Sequence, residues 1–523
     1  MIDINKLENV NVLLTYQDLF DDEVTINEHL KHGADYNDLC FLSAISFYED
    51  EENRLSEWVS DNFQKLPENR VVFGRSERLT AWKYLLSNIS SLKLLNNRER
   101  CIEFFKLFLL INDRDNNRDF NVRHKFSLGF INNYRDRYIA QYYRAKKIFL
   151  SEAFVSEYGE KFYSHYGVSV HEYFHVIHAI LKYYKHSKRR VDYYCSYNSL
   201  YWQFNVLSLA KDYNCDMNVF SKVMECVSFD LNEGKLFSLA SLYDSNNISL
   251  FRDKPFIKIS PSVYIPIDGK LVEELLFNNL FYKIKEINDV RFLSDFGLYF
   301  ESYIQSITES SITNLNHHKY KIIPEFKYKK GQCKSPDLIL LTEYENSALV
   351  VEVKSARFLD EVVSSNNNES SLDKSLIKLK ENPWKQSAKS ISEIISLKEN
   401  VDINENKNYY FLAVTMNDIP MSLTEYNIKD NNGNDISDFF FSMNVEAYEC
   451  LLEIVSSDCR YNIFDILRAY RDNESSMSIK TYLARVKKYI AINNSNPLFD
   501  EMNQSQFDSV LFLKSIEADI VKV

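Results

Sequence analysis

With 523 residues, 45% of them hydrophobic and 26% charged, the chain carries enough apolar material for about two to four globular domains. A formal net charge of −12 excludes a uniformly basic surface, so any contact with nucleic acid has to be a local patch. Only 10 glycines occur, and no glycine-rich motif for cradling ATP or dinucleotide phosphates is visible, which argues against a nucleotide-driven motor.

No stretch approaches about eighteen uninterrupted apolar residues, and the longest candidate, Phe104 to Ile111, is broken by Lys106. The opening MIDINKLENV lacks a basic and then apolar signal, so a cytoplasmic protein with no membrane contact is expected. The 8 cysteines form no CxxC pair and read as reduced, structural thiols.

Residues 1–250 read as a mainly helical recognition or regulatory region, with apolar spacings of three and four. Trp58, Trp82, Phe104, Phe105 and Tyr142 are expected in its core, because aromatic side chains dominate helical cores. Lys185 to Arg190, KHSKRR, is its one basic knot and reads as a solvated helix end or a DNA contact. His171-Glu172-Tyr173-Phe174-His175 is an HExxH, whose histidines on a helix share a face and suit Zn²⁺, with Glu172 as general base. The same residues follow Gly167 as a capping box, Ser169-Val170-His171-Glu172, in which Glu172 reaches back to the Ser169 amide. A cap places the motif in a first turn, and the third histidine of the extended metalloprotease motif is missing, Leu181 standing in its place.

Residues 251–290 read as a joining element. Asp253 to Ile267 is expected to form two short strands about Ser260-Pro261, and Leu271 to Ile287 one amphipathic helix.

Residues 291–444 carry the chemistry. In PDLILLTEYENSALVVEVKSAR, Pro336 to Arg357, two apolar runs flank six mostly polar residues and predict a β-hairpin. If the hairpin is symmetric, Asp337 lies opposite Glu352, with Cβ atoms about 5 Å apart. Alternation along a strand then puts Glu352 and Lys354 on one face and Val351 and Val353 on the other. Charges ending buried strands need a partner. Two carboxylates suit a hard divalent cation, Mg²⁺ or Mn²⁺, and a neighbouring ammonium can position an attacking water, an arrangement fitted to phosphodiester hydrolysis.

Pro336-Asp337 followed by Glu352-Val353-Lys354 resembles the signature of the PD-(D/E)XK nuclease superfamily. The resemblance implies a restriction-endonuclease-like core running helix, three antiparallel strands, helix, strand. Its candidate pieces are a helix over Phe296 to Ser306, a strand over Lys319 to Tyr328, the hairpin, a helix opened by Asn382-Pro383, and a strand over Tyr409 to Met416. By the same resemblance Glu301 supports the metal site, Asp337 and Glu352 bind the metal, Lys354 positions the water, and Gln386 lies beside the site. The Asn- and Ser-rich insert Ser364 to Ser371 departs from the pattern by separating Lys354 from the second helix.

Two lysine clusters flank these residues. Lys319, Lys321, Lys327, Lys329, Lys330 and Lys334 precede the hairpin, and Lys374, Lys378, Lys380, Lys385 and Lys389 follow it. Together they read as a phosphate-backbone track, or as solvated faces. Asn- and Asp-rich Tyr426 to Asp438 reads as a linker, Phe439 to Met443 as a further strand, and residues 445–523 as a helical C-terminal region.

The fold class expected is thus mixed α+β, a restriction-endonuclease-like αβββαβ core between helical terminal regions. The function expected is Mg²⁺-dependent DNA cleavage, with RNA as the alternative substrate and bacterial defence against phage, alone, as a homo-oligomer or with a partner protein, as the setting. A zinc metalloprotease acting through residues 171–175 and a catalytically inactive scaffold for nucleic acid or protein are the rival readings.

Overall fold

The computed structural model describes residues 12–48, 50–66, 70–89, 97–116, 137–186, 202–244, 246–312, 320–342, 345–357, 369–417, 439–457, 462–472 and 478–489. The Tyr426 to Asp438 linker, most of the Ser364 to Ser371 insert, Lys319, and all of the KHSKRR knot beyond His186 lie outside them. Among the described residues no helix is long and apolar enough to cross a membrane.

The N-terminal region is built from helices, among them Tyr36–Phe47, Arg75–Ser87, Tyr138–Ile148 and Val170–His186. They surround a small sheet whose strands run in the order Phe204–Asn205, Val263–Pro266, Phe256–Ser260, Ser228–Asp230. The two strands expected about Ser260-Pro261 are its centre. Buried Arg75 pairs with buried Asp268 at 2.9 Å, and the Trp82 indole donates to the Ile267 carbonyl at 2.8 Å. Gly269 follows at a point where a Cβ would stand 2.0 Å from the Phe47 carbonyl oxygen, so no larger residue fits. The single helix expected over Leu271 to Ile287 is two, Gly269–Glu274 and Asn278–Glu286. Leu275, Leu276 and Phe277 between them are all fully buried, so the break lies inside the core.

From residue 291 the order is helix Arg291–Ile312, strand Tyr320–Pro324, strand Leu338–Thr342, strand Ser347–Lys354, helix Asn382–Leu397, strand Asn408–Thr415, and strand Phe440–Asn444. The first helix extends a turn or more beyond both expected ends, with Phe292, Phe296, Phe300, Tyr303 and Ile307 repeating at helical spacing on its buried face. These five strands form one mixed sheet. Its first three are antiparallel neighbours, and the last two join in parallel beside the Glu352 strand. The strand expected over Lys319 to Tyr328 is split. After Pro324 the chain leaves the sheet, and Lys327–Tyr328 pairs instead with Cys333–Lys334 in a small separate hairpin. Its turn holds Lys329, Lys330 and Gly331 at φ 50°, 55° and 85°, a left-handed run that only the glycine adopts without cost.

The second expected helix start also differs. Asn382-Pro383 does not open a helix. It continues a helical run from Glu369 through a π-turn, Ile377–Glu381, in which the Asn382 amide bonds back to the Ile377 carbonyl. Proline has no N–H for the i−4 carbonyl and its ring crowds that turn, so widening the preceding turn lets the helix run on.

Both faces of the large sheet are covered. Leu338, Leu340, Leu349, Val351 and Val353 belong to an apolar cluster that runs without interruption from Leu14 to Leu483 and includes the N-terminal helices. Ile339, Leu341, Ala348 and Val350 face a second cluster formed with Trp384, Ile391 and Ile394. C-terminal helix Val445–Ser456 is tied to the N-terminal region through its buried glutamates: half-buried Arg137 meets Glu446 and Glu453 at 2.6 and 2.7 Å, and buried Arg144 meets Glu449 and Glu446 at 2.7 and 2.9 Å. The Tyr303 hydroxyl donates to Glu449 at 2.7 Å.

Candidate active site

Leu338 is paired with Val351, and one step further along that register Asp337 lies opposite Glu352. This is the juxtaposition expected from the symmetry of the hairpin. Asp337 and Glu352 each lie two residues before or after a member of the second cluster, Ile339 and Val350, so both belong to the face covered by helix Asn382–Leu397.

Asp337 is fixed from both sides. Its Oδ2 accepts the Val353 N–H at 2.7 Å, across the strand pair, while Oδ1 makes no hydrogen bond among the described residues. Before it, Ser335 closes the small hairpin: its amide donates to the Phe326 carbonyl and its Oγ accepts the Phe326 N–H, both at 2.8 Å. The lysine-bearing hairpin is thereby anchored directly in front of the site. Burial, then the Glu352 charge, and then Glu301 push the Asp337 carboxyl up to about 8, against the Val353 N–H and Lys354.

Glu352 is buried and uses both oxygens. Oε1 accepts from Lys354 Nζ at 2.7 Å and Oε2 from Ser387 Oγ at 3.1 Å. Ser387 is not among the residues expected from sequence, although a signal exists. It lies three residues after Trp384 and four before Ile391, a hydroxyl within an apolar stripe, which a buried acceptor explains. Gln386, expected beside the site, is exposed, and the contact from this turn comes from its neighbour.

Glu301 is brought toward the same end of the sheet from helix Arg291–Ile312. Burial raises its pKa, Lys354 opposes this, Glu325 and Glu352 add to it, and Lys334 opposes. At Gly297, one turn earlier, a Cβ would meet Ser355 Oγ at 3.4 Å, which shows how closely the helix approaches the chain leaving Lys354. Among the described residues no group of three or more His, Cys, Asp or Glu side chains is close enough to hold a metal ion.

The lysines divide. Lys334 pairs with Glu325 at 2.9 Å, Lys329 with Glu393 at 2.8 Å, Lys385 with Glu381 at 3.0 Å, and Lys321 with Asp402 at 2.5 Å. Lys327, Lys330, Lys374, Lys378 and Lys389 are exposed, and Lys380 is buried. Exposed ion pairs of this kind are worth little and open readily, yet the paired lysines present less net charge than the sequence count suggests.

The HExxH begins helix Val170–His186 as a cap. The Ser169 amide donates to Glu172 at 2.7 Å, and the Glu172 amide to Ser169 Oγ at 3.1 Å. The two histidine rings are 6.4 Å apart, and burial holds His175 down to about 4.

Comparison with models of protein families, with characterised proteins and with solved structures finds no match.

Proposed function

We propose that the chain is a metal-dependent nuclease of the PD-(D/E)XK type, hydrolysing DNA phosphodiester bonds at Asp337, Glu352 and Lys354. One observation carries this reading: the two carboxylates oppose each other across antiparallel strands, with Lys354 2.7 Å from Glu352 on the same face. The order of elements about them, helix, three antiparallel strands, helix and parallel strand, supports it.

The donor set fits a hard cation. Asp337 has one oxygen uncommitted among the described residues, and burial and the Glu352 charge raise its pKa, a cost to the ionised pair that a divalent cation would offset. Mg²⁺ or Mn²⁺ held by Asp337 and Glu352 supplies Lewis acidity toward a phosphoryl oxygen and a water of lowered pKa. The protein's own part follows from its contacts. The Val353 amide aims the Asp337 carboxylate. Ser387 and Lys354 aim that of Glu352. Lys354 carries its charge where an attacking water and the crowded negative phosphate meet, and exposed Lys330 and Lys389 supply backbone attraction.

The test is incubation of purified protein with plasmid, single-stranded DNA and RNA, with EDTA, Mg²⁺ or Mn²⁺. DNA cutting that requires metal and vanishes in Asp337→Asn supports the proposal. Cutting of RNA alone reassigns the substrate, and no cutting of any substrate in either metal removes the enzymatic reading.

A further inference from the structure

Just past Lys354 the chain enters a cavity of about 370 Å³, within the size range of small-ligand sites. Ser355 and Arg357 line it on one side, Phe281, Tyr282, Lys285 and Ser294 on another, and Lys378 at its rim. Arg357 is the unusual member. Its Nε and one Nη are shielded from solvent and have no hydrogen-bond partner among the described residues. The guanidinium stacks 4.1 Å from the Phe281 ring centroid and 4.9 Å from that of Tyr282.

Stacking on aromatic faces compensates a desolvated guanidinium only in part, since it provides no acceptor for the Nε and Nη donors that point outward in the guanidinium plane. Burial accordingly lowers the Arg357 pKa, opposed by the Tyr282 hydroxyl and Glu274, with Arg144 reinforcing the fall. Glu274 is itself in contact with Lys270, at 3.6 Å. Among the described residues, the cavity lining holds three cationic side chains and two serine hydroxyls, and no carboxylate. Oriented donors with an excess of positive charge form a site for a multiply charged anion.

We propose that this cavity binds a phosphomonoester, with the guanidinium of Arg357 as the principal donor, Ser355 and Ser294 as hydroxyl partners, and Lys285 and Lys378 as supporting charges. A phosphomonoester carries nearly two negative charges near neutral pH, against one for a carboxylate or a phosphodiester, and so matches this lining best. Two sources share that chemistry: a free nucleotide, and the terminal phosphate of a nucleic-acid strand. Three backbone steps lead from Lys354 to Arg357, a span of at most about 11 Å, so a strand end held here lies within a few nucleotides of the Asp337–Glu352 pair.

Binding is measured on the full chain in EDTA, so the outcome does not depend on the nuclease proposal. The probes are deoxyadenosine 5′-monophosphate against deoxyadenosine, and one short oligonucleotide with either a 5′-phosphate or a 5′-hydroxyl. Wild type is expected to prefer the phosphorylated member of at least one pair by about ten-fold or more, and Arg357→Gln to lose that preference. Lys378→Gln, a change at an exposed rim position, is expected to weaken it several-fold without altering the fold, and decides the matter if Arg357→Gln does not fold. Preference confined to the oligonucleotide pair identifies a strand end, and preference confined to the mononucleotide a free nucleotide. Equal affinity within both pairs, or a preference untouched by either substitution in folded protein, overturns the proposal.

Discussion

The Val353 amide donates to Asp337 Oδ2 at 2.7 Å, so the strand that carries Glu352 and Lys354 also holds the opposing carboxylate in place. The bond spans the two strands at the one step where both present acids. It stabilises ionised Asp337, but burial and the Glu352 charge outweigh it and carry the Asp337 pKa to about 8.

A pH dependence follows, with a definite sign. An aspartate raised from its ordinary value near 4 binds its proton more tightly in the folded state, so it costs no stability below about pH 4. Stability is then lost as pH rises through the interval from about 4 to about 8. In EDTA, Asp337→Asn should therefore raise Tm at pH 8.5 relative to wild type and leave it little changed near pH 4. A lower Tm at pH 8.5 would show that the carboxylate stabilises the fold.

Lys354→Met and Ser387→Ala separate chemistry from positioning. Lys354→Met should lower the cutting rate by at least about a hundred-fold in Mg²⁺, with DNA affinity in Ca²⁺ changed by less than about three-fold. Ser387→Ala removes one hydrogen bond from Glu352 and should cost activity about ten-fold, partly restored by raised Mg²⁺ or by Ser387→Thr. Equal cutting by wild type and Lys354→Met would remove the lysine from the mechanism.

Lysine substitutions should follow the observed pairing. Lys330→Glu with Lys389→Glu reverses two exposed charges and should lower the salt slope of DNA binding by about one for each phosphate no longer neutralised. Lys385→Gln removes a lysine already beside Glu381 and should change the slope less. The reverse ranking of the two variants would move the track to other residues.

Glu172→Gln should cost no more than about 1 kcal/mol of stability and leave nuclease activity intact, because Glu172 serves the helix cap with Ser169. Metal analysis of purified protein provides the check: stoichiometric zinc that disappears in His175→Ala would contradict the cap as the motif's role.

The parts of this arrangement legible in sequence are those governed by local period and symmetry. Asp337 opposite Glu352 follows from counting residues about the Thr342 to Ser347 turn, and the capping box from a spacing of three. What escapes a sequence reading depends on packing between distant segments. Ser387 acquires meaning only when its helix is laid across the Glu352 strand, and Arg357 only when residues 281 and 282 are brought beneath it. The helix start expected at Asn382-Pro383 fails because proline at a first turn and proline after a π-turn look alike locally. The charges of the Val445–Ser456 helix are invisible as core, since glutamates at 446, 449 and 453 are ordinarily solvated and here meet arginines about 300 residues earlier in the chain.

That pairing has a consequence for the newborn chain. Arg137 and Arg144 emerge from the ribosome some 300 residues before Glu446, Glu449 and Glu453, and until those glutamates arrive the arginines' eventual burial site is unfinished. The ion pairs that seat Arg137 and Arg144 can therefore form only after residue 453 has been added to the chain.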